Sequence, residues 1–396
     1  MNKLTIEDLQ LQGKKALIRV DFNVPLEDGK VSDDTRIKAA LPTIRYALEK
    51  GAAVILMSHL GRPAGQADQA LSLRPVADRL SRLLESEVAF AEDCVGQEAQ
   101  EAAARLQAGQ VLLLENLRFH PGEKKPEAEP DFAGKLASLG DVYINDAFGT
   151  AHRPHSSMVA VAESFEKRAA GFLLAKEIDY FQRVLDNPAT PFLAILGGAK
   201  VSDKIGVIQN LLEKVDILLV GGAMAYTFLK AGGVEVGDSR VEEDKLPLAL
   251  KLIRQAAQKD VELILPQDHV CGREFKEDTE RGQTPGASIP KGWMGLDIGP
   301  RTVQVFRDRI EQARLIVWNG PMGVFEWPRF SRGTQRIAKA CAESPAVTII
   351  GGGDSASAAQ RSGLADRFDH ISTGGGASLE MLEGKKLPGV EVLTDA

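Results

Sequence analysis

The sequence predicts an α/β protein made of two doubly wound, Rossmann-like parallel sheets. Short β-rich runs recur along the chain with helix-like stretches between them, the alternation expected of βαβ units. Several of the runs are apolar on both faces, as strands covered by helices on both sides must be. The turns after the runs are rich in either Arg and His or Gly. Ligands sit beyond the carboxyl ends of strands in such sheets, so these turns carry the chemistry.

Strands are expected at Lys15–Asp21, Ala53–Ser58, Val111–Asn116 and Asp141–Asn145. A second set comes at Phe192–Leu196, Asp216–Val220, Glu262–Leu265, Leu315–Trp318 and Val347–Ile350. Arg74 to Glu85 and Lys245 to Lys259 have helical spacing. The break between the two sheets is expected near Gly171 to Asn187, where Phe172 to Ile178 opens one long helix and Asn187-Pro188 closes it. The Pro-bounded run Pro121 to Pro130 reads as a charged surface loop without a function.

Composition fits this picture. A chain of 396 residues suggests two or three domains, at roughly 150 residues each. It is 44% hydrophobic and 26% charged, within the ordinary globular range. Lys and Arg number 48 against 55 Asp and Glu, a net charge of −7, which disfavours general binding to nucleic acid. Cys94, Cys271 and Cys341 are too scattered for a disulfide framework or a metal motif. Apolar runs such as Ala52 to Met57 fall far short of the ~20 residues a bilayer span needs. Acids interrupt the start of the chain where an export signal needs apolar residues, so a cytoplasmic location is expected.

The two halves differ in the turns at their strand ends. In the first, the turns are Asp21-Phe22-Asn23, Ser58-His59-Leu60-Gly61-Arg62, Asn116-Leu117-Arg118-Phe119-His120 and Asp146 through Arg153, with Arg36 opening the next helix. Four such turns at one sheet edge suggest a pocket for a small, multiply charged anion, because the planar Arg fork grips carboxylate or phosphate in pairs of hydrogen bonds. His120 and His155, taken singly, read as structural or solvent-facing. In the second half the turns are Gly197-Gly198-Ala199-Lys200, Gly221-Gly222-Ala223, Asn319-Gly320-Pro321-Met322-Gly323 and Gly351-Gly352-Gly353-Asp354-Ser355. Backbone N–H groups in Gly-rich turns hold phosphate oxygens, which points to a nucleotide. Asp354 fits the N-cap of a helix Ser355 to Gln360 and also a ligand for Mg²⁺, two compatible roles. No Walker A loop, no protein-kinase motifs and no dinucleotide fingerprint are present.

Nine further segments then resemble the phosphoglycerate kinase family, of bacterial type. In the first half these are RVDFNVP (Arg19 to Pro25), SHLGRP (Ser58 to Pro63), LENLRFHPGE (Leu114 to Glu123) and NDAFGTAHRPHSS (Asn145 to Ser157). In the second they are LGGAKVSDKI (Leu196 to Ile205), WMGLDIGP (Trp293 to Pro300), WNGPMGVFE (Trp318 to Glu326) and GGGDS with STGGGASLE (Ser372 to Glu380). They run in order along essentially the whole chain.

The resemblance implies two domains joined by a hinge helix. Residues 1–172 would bind 3-phosphoglycerate, with a C-terminal tail 380–396 packing back on them, and 173–379 would bind Mg-nucleotide. It implies reversible transfer of the acyl-phosphate of 1,3-bisphosphoglycerate to ADP. Asp21, Asn23, Arg36, His59, Arg62, Arg118 and Arg153 match the phosphoglycerate contacts. Gly198, Ala199, Lys200, Lys204, Gly295, Asn319, Glu326, Gly352, Gly353, Asp354 and Ser355 match the nucleotide site. Arg36 and Lys200 are the expected catalytic pair, with Mg²⁺ on Asp354. Ser355 stands where the family usually has Thr, and Ala223 where Gly is common. No membrane or nucleic-acid partner is implied, and a monomer is expected. Two rival readings are a two-lobed protein that closes on an anion without chemistry and a nucleotide-dependent oxidoreductase. The Gly-rich second half disfavours the first, and the missing dinucleotide fingerprint disfavours the second.

Overall fold

The computed structural model describes residues 2–63 and 65–396. The chain divides into two compact units, Met1–Asp179 with Lys386–Ala396, and Tyr180–Lys385. The boundaries expected from the sequence, 172/173 and 379/380, lie six or seven residues earlier. The helix Phe172–Leu185 spans the first of them.

In the first unit the strands are β1 (Lys15–Val20), a small hairpin β2 (Leu26–Glu27) and β3 (Lys30–Val31), β4 (Ala53–Met57), β5 (Val88–Ala91), β6 (Val111–Leu114), β7 (Val142–Asp146) and β8 (Arg168–Ala170). Six of them form a parallel sheet in the order β5-β6-β4-β1-β7-β8. Every residue of β4 and β6 is buried, because helices cover both faces. Ile18, Val20, Val54, Leu56, Leu113 and Ile144 make the core of one face, against Ile37, Ala40 and Ile44 of the helix Thr35–Glu49.

The last eleven residues complete this unit. Lys3 bridges Asp395, Leu4 N–H donates to the Thr394 carbonyl at 2.9 Å, and Asn145 Nδ2 donates to the Gly389 carbonyl at 2.8 Å. Gly389 packs so closely on Ala151 and Met158 that a Cβ there would lie 2.7 Å from the Met158 methyl.

The second unit holds β9 (Phe192–Leu196), β10 (Ile217–Val220), β11 (Glu262–Ile264), β12 (His269–Gly272), β13 (Arg281–Gln283), β14 (Met294–Ile298), β15 (Leu315–Asn319), β16 (Val347–Gly351) and β17 (His370–Ile371). Its main sheet is again parallel, in the order β11-β10-β9-β15-β16-β17. β9 and β15 at its centre are wholly buried.

A three-stranded antiparallel sheet, β13-β12-β14, adds to the parallel plan. Its strands are three to five residues long and separated by Gly-, Pro- and charge-rich loops, so no periodicity announces them. The edge strands β5, β8 and β17 are not among the expected strands either; β8 and β17 are only three and two residues long. The helix expected at Ser355 to Gln360 instead spans Gly353–Arg361 with Gly352 as its N-cap. Asp354 is therefore not the cap but a first-turn residue, where a carboxylate meets the positive end of the helix dipole.

Candidate active site

Because β6, β4, β1 and β7 are parallel neighbours, the turns after them converge on one edge. Three side chains lock these turns together. Ser58 Oγ accepts from Phe22 N–H at 2.8 Å. Asn116 Nδ2 donates to the Leu60 and Leu71 carbonyls at 2.8 and 2.9 Å, and its Oδ1 accepts from the Leu60 and Arg118 N–H groups. Asn23 Oδ1 accepts from Gly61 N–H at 2.9 Å.

On this frame Arg36 Nη1 meets Asp21 Oδ2 at 2.8 Å, and Arg118 Nη1 donates to the Gly61 carbonyl at 2.7 Å. Arg62 and Arg153 are exposed. Both share with Arg118 the field that lowers the pKa of Lys124, after burial and Arg118 themselves. Arg118 is itself held down to about 10, by burial and then by the neighbouring charges of Arg19 and Arg153, and its Nε is buried without a partner. Of Arg36, Arg62, Arg118 and Arg153, only Arg36 is paired with a carboxylate among the described residues, an arrangement that favours a polyanion.

Sequence reasoning missed the residues beneath this surface. Arg19 is fully buried; Nε donates to Ser157 Oγ at 2.9 Å, Nη1 to the Val20 carbonyl, and Nη2 approaches His59 Nδ1 at 3.2 Å. Glu123 lies 4.0 Å from the same Nη2 and accepts from Ser157 N–H and Oγ at 3.0 and 2.8 Å. The run read as a functionless surface loop thus supplies the buried counter-ion of the cluster, along with Lys124. A signal existed: Arg19 interrupts Ala-Leu-Ile-Arg-Val, and a charge inside an apolar strand must have a partner. His155 is buried as well, its pKa driven down to about 3 by burial and then Arg118.

The second unit presents a cavity in two chambers. One, of about 520 Å³, is lined by Gly198, Ala199, Ala223, Tyr226, Gly295 and Glu326, among mainly apolar neighbours. The other, of about 310 Å³, is lined by Lys200, Lys204, Asn319, Gly352, Gly353 and Ser355. Gly198, Ala199 and Asp354 line both. An apolar chamber that shares its lining with one edged by two lysines and the aspartates Asp203 and Asp354 suits a base and ribose followed by Mg-bound phosphates.

The turns that build it interlock because they lack side chains. A Cβ on Gly222, at φ +66°, would lie 2.5 Å from the Gly198 nitrogen, and one on Gly295 would overlap the Tyr226 hydroxyl. Ser355 Oγ accepts from Gly320 N–H at 2.6 Å, tying two turns. Lys204 Nζ donates to Asn319 Oδ1 and to its carbonyl. Burial lowers the Lys204 pKa to about 8, against the opposing pull of Asp354 and Asp203. Asn319 Nδ2 is buried without a partner, about where a Cβ on Gly352 would come within 3.0 Å. The Asp354 carboxylate is exposed and makes no hydrogen bond among the described residues. A free hard oxygen donor beside a phosphate-sized chamber fits Mg²⁺, which takes one or two carboxylates plus substrate oxygens.

Comparison with known proteins identifies the family. A family model described as phosphoglycerate kinase matches residues 6–385. The chain is 57% identical to the phosphoglycerate kinase of Moorella thermoacetica over 395 residues, covering 100% of both chains. It is 54% identical to that of Clostridium novyi, covering 100% of this chain and 99% of the other. The solved structure of phosphoglycerate kinase from Coxiella burnetii superposes with a TM-score of 0.91 at 41% identity, over 98% of each chain. That from Pyrococcus horikoshii gives 0.85 at 35% identity, also over 98% of each. A polyanion receptor on one parallel sheet, a two-chambered cavity on the other and relatives matched along their full length together show that the chain belongs to the phosphoglycerate kinase family.

Proposed function

We propose that the first unit binds 3-phosphoglycerate or 1,3-bisphosphoglycerate, that the second binds ADP or ATP, and that the phosphoryl group passes directly between them when the two sites meet. The family's reaction is the reversible glycolytic phosphotransfer between these compounds. The observation that carries the residue assignment is the division of labour: a cluster of arginines at the sheet edge of one unit, and on the other an apolar chamber beside one lined by Lys200 and Lys204.

Asp21, Asn23, Arg36, His59, Arg62, Arg118 and Arg153 would hold the phosphoglycerate, and Lys200, Lys204, Gly198, Ala199, Gly295, Asn319, Glu326 and Gly352 through Ser355 the nucleotide. In the direction of ATP use the nucleophile is the carboxylate of 3-phosphoglycerate, ionised at neutral pH because carboxyl groups titrate at about 4. No general base is needed. The chain's task is then alignment, and stabilisation of charge on the three equatorial oxygens of the moving phosphoryl. Arg36 and Lys200 suit that task from opposite units, since both are cations with solvent-facing side chains. Asp354 would hold Mg²⁺, which neutralises nucleotide phosphate charge when bound. Bringing the units together would also exclude water from the reactive acyl phosphate.

We also read the protein as a cytoplasmic monomer. No helix among the described residues is long and apolar enough to cross a membrane. Phe275 is the one large hydrophobic residue exposed among them, and it lines the nucleoside chamber.

The test is ADP formation from Mg-ATP and 3-phosphoglycerate by the purified chain, with Arg36→Ala and Lys200→Ala beside it. Turnover lost in both variants supports the assignment. Turnover kept in either removes that residue from the catalytic pair.

A further inference from the structure

A second cluster lies at the carboxyl edge of the first unit's sheet, on the β5–β6 side. Asp93 and Cys94 come just after β5, and His120 ends the short turn Leu117–Phe119 after β6. These two strands are paired, so the two loops lie side by side. One carboxylate oxygen of Asp93, the Cys94 sulfur and a ring nitrogen of His120 all fall within 4.8 Å of one another. His120 Nε2 is 2.7 Å from Asp93 Oδ1, while Nδ1 faces Glu129 at 3.1 Å. The ring is further fixed by stacking on Phe132, with centroids 5.3 Å apart.

We propose that Asp93, Cys94 and His120 form a binding site for a divalent transition-metal cation of the Zn²⁺ class, with Glu129 orienting the imidazole from behind. Sulfur, imidazole nitrogen and carboxylate oxygen are the donors Zn²⁺ prefers, and three protein ligands with water in the fourth position is an ordinary Zn²⁺ set. Bond lengths of roughly 2.0–2.3 Å put ligand atoms some 3–4 Å apart, which small side-chain rotations reach from the present spacing. The carboxylate behind the histidine is what metal-bound imidazoles commonly have: it accepts from Nδ1–H and leaves the Nε2 lone pair for the metal.

The local field also favours a cation. Burial and then the charges of Asp93, Glu123 and Glu129 raise the Cys94 pKa. Hydrogen bonding to Asp93 raises that of His120, whose two ring nitrogens both face carboxylates. Metal binding would release the Nε2 proton of His120 and the thiol proton of Cys94 while Nδ1–H stays on Glu129. The rim is open to solvent, with the Asp93 side chain 39% exposed.

The experiment titrates the full chain with Zn²⁺ in competition with a chromophoric chelator at mildly alkaline pH, and repeats the titration with Co²⁺. We expect one ion per chain, a thiolate-to-Co²⁺ charge-transfer band in the near ultraviolet, and a Zn²⁺-dependent rise in Tm. Cys94→Ser and His120→Asn should abolish all three, and Glu129→Ala should weaken binding by about 10–100-fold. Absence of the band from the wild-type chain would overturn the proposal even if every variant misfolds. So would a band or stoichiometry that survives Cys94→Ser.

Discussion

Arg19 Nη2 faces His59 Nδ1 at 3.2 Å inside the first unit, and that contact determines which proton His59 carries. A guanidinium has donors only, so Nδ1 must accept and the imidazole proton sits on Nε2. Burial first, and then the charges of Arg19 and Arg118, hold the His59 pKa well below its ordinary 6.5. His59 therefore offers an anion a neutral N–H donor rather than a second charge.

Nitrogen-15 NMR of the histidine rings should show His59 as the neutral Nε2–H tautomer at pH 7, without titration down to pH 6. Arg19→Gln should raise the pKa of that ring only in part, because burial, the larger cause, remains. It should also cost about 3–5 kcal/mol of stability, because it strands the buried Glu123 without its counter-ion. A variant as stable as wild type in urea would show that Arg19 does not neutralise Glu123.

Arg36→Ala should lower kcat by as much as about 10³–10⁵-fold, the range for an arginine that stabilises a transferring phosphoryl group. Mg-ADP affinity should be unchanged by calorimetry, since Arg36 lies in the other unit. Near-normal kcat with a raised KM for 3-phosphoglycerate would reduce Arg36 to a ground-state contact.

Lys204 sets a pH limit on nucleotide binding. With its pKa lowered to about 8 by burial, the free enzyme loses this ammonium as pH rises past 8. Phosphate oxygens favour the charged form, so Mg-ADP should bind with proton uptake and with falling affinity above pH 8. Lys204→Met should bind more weakly at pH 7 and show no such pH dependence. Proton uptake is read from the dependence of calorimetric heat on buffer ionisation.

Asp146 offers a stability test with a defined sign. Burial raises its pKa from 3.8 to about 7, opposed by the Thr43 side chain and the Leu174 and Leu173 N–H groups, and its Oδ2 has no partner. Between those pH values the folded chain holds a proton that the unfolded chain has released. This contribution to stability is therefore complete at low pH and lost as pH rises through 7. Asp146→Asn does not titrate, so its Tm relative to wild type should climb between pH 5 and 8. A flat difference would mean that Asp146 is ionised throughout.

Much of the fold was legible in the sequence because central parallel strands are buried on both faces and read as unbroken apolar runs, as Ala53–Met57 and Phe192–Leu196 do. The antiparallel sheet was not, since Arg281-Gly282-Gln283 has neither apolar character nor alternation. In the site, residues on turns stood out by type and position. Arg19 shows only as a charge inside an apolar strand, and its partner Glu123 does not show at all, because the two face each other across more than a hundred residues of chain. The bond partner of Arg19 at Ser157 lies 138 residues away, a separation no local pattern encodes.

The pairing of Lys3 with Asp395 and of Asn145 with Gly389 also bears on how the protein is made. Residues 180–385, a contiguous stretch, have all left the ribosome before the segment 386–396 that seals the first unit emerges. The half synthesised first is thus the half finished last. During translation, the surface around Ala151 and Met158 that Gly389 covers stays open until the final residues emerge, which makes it a natural target for chaperones and proteases.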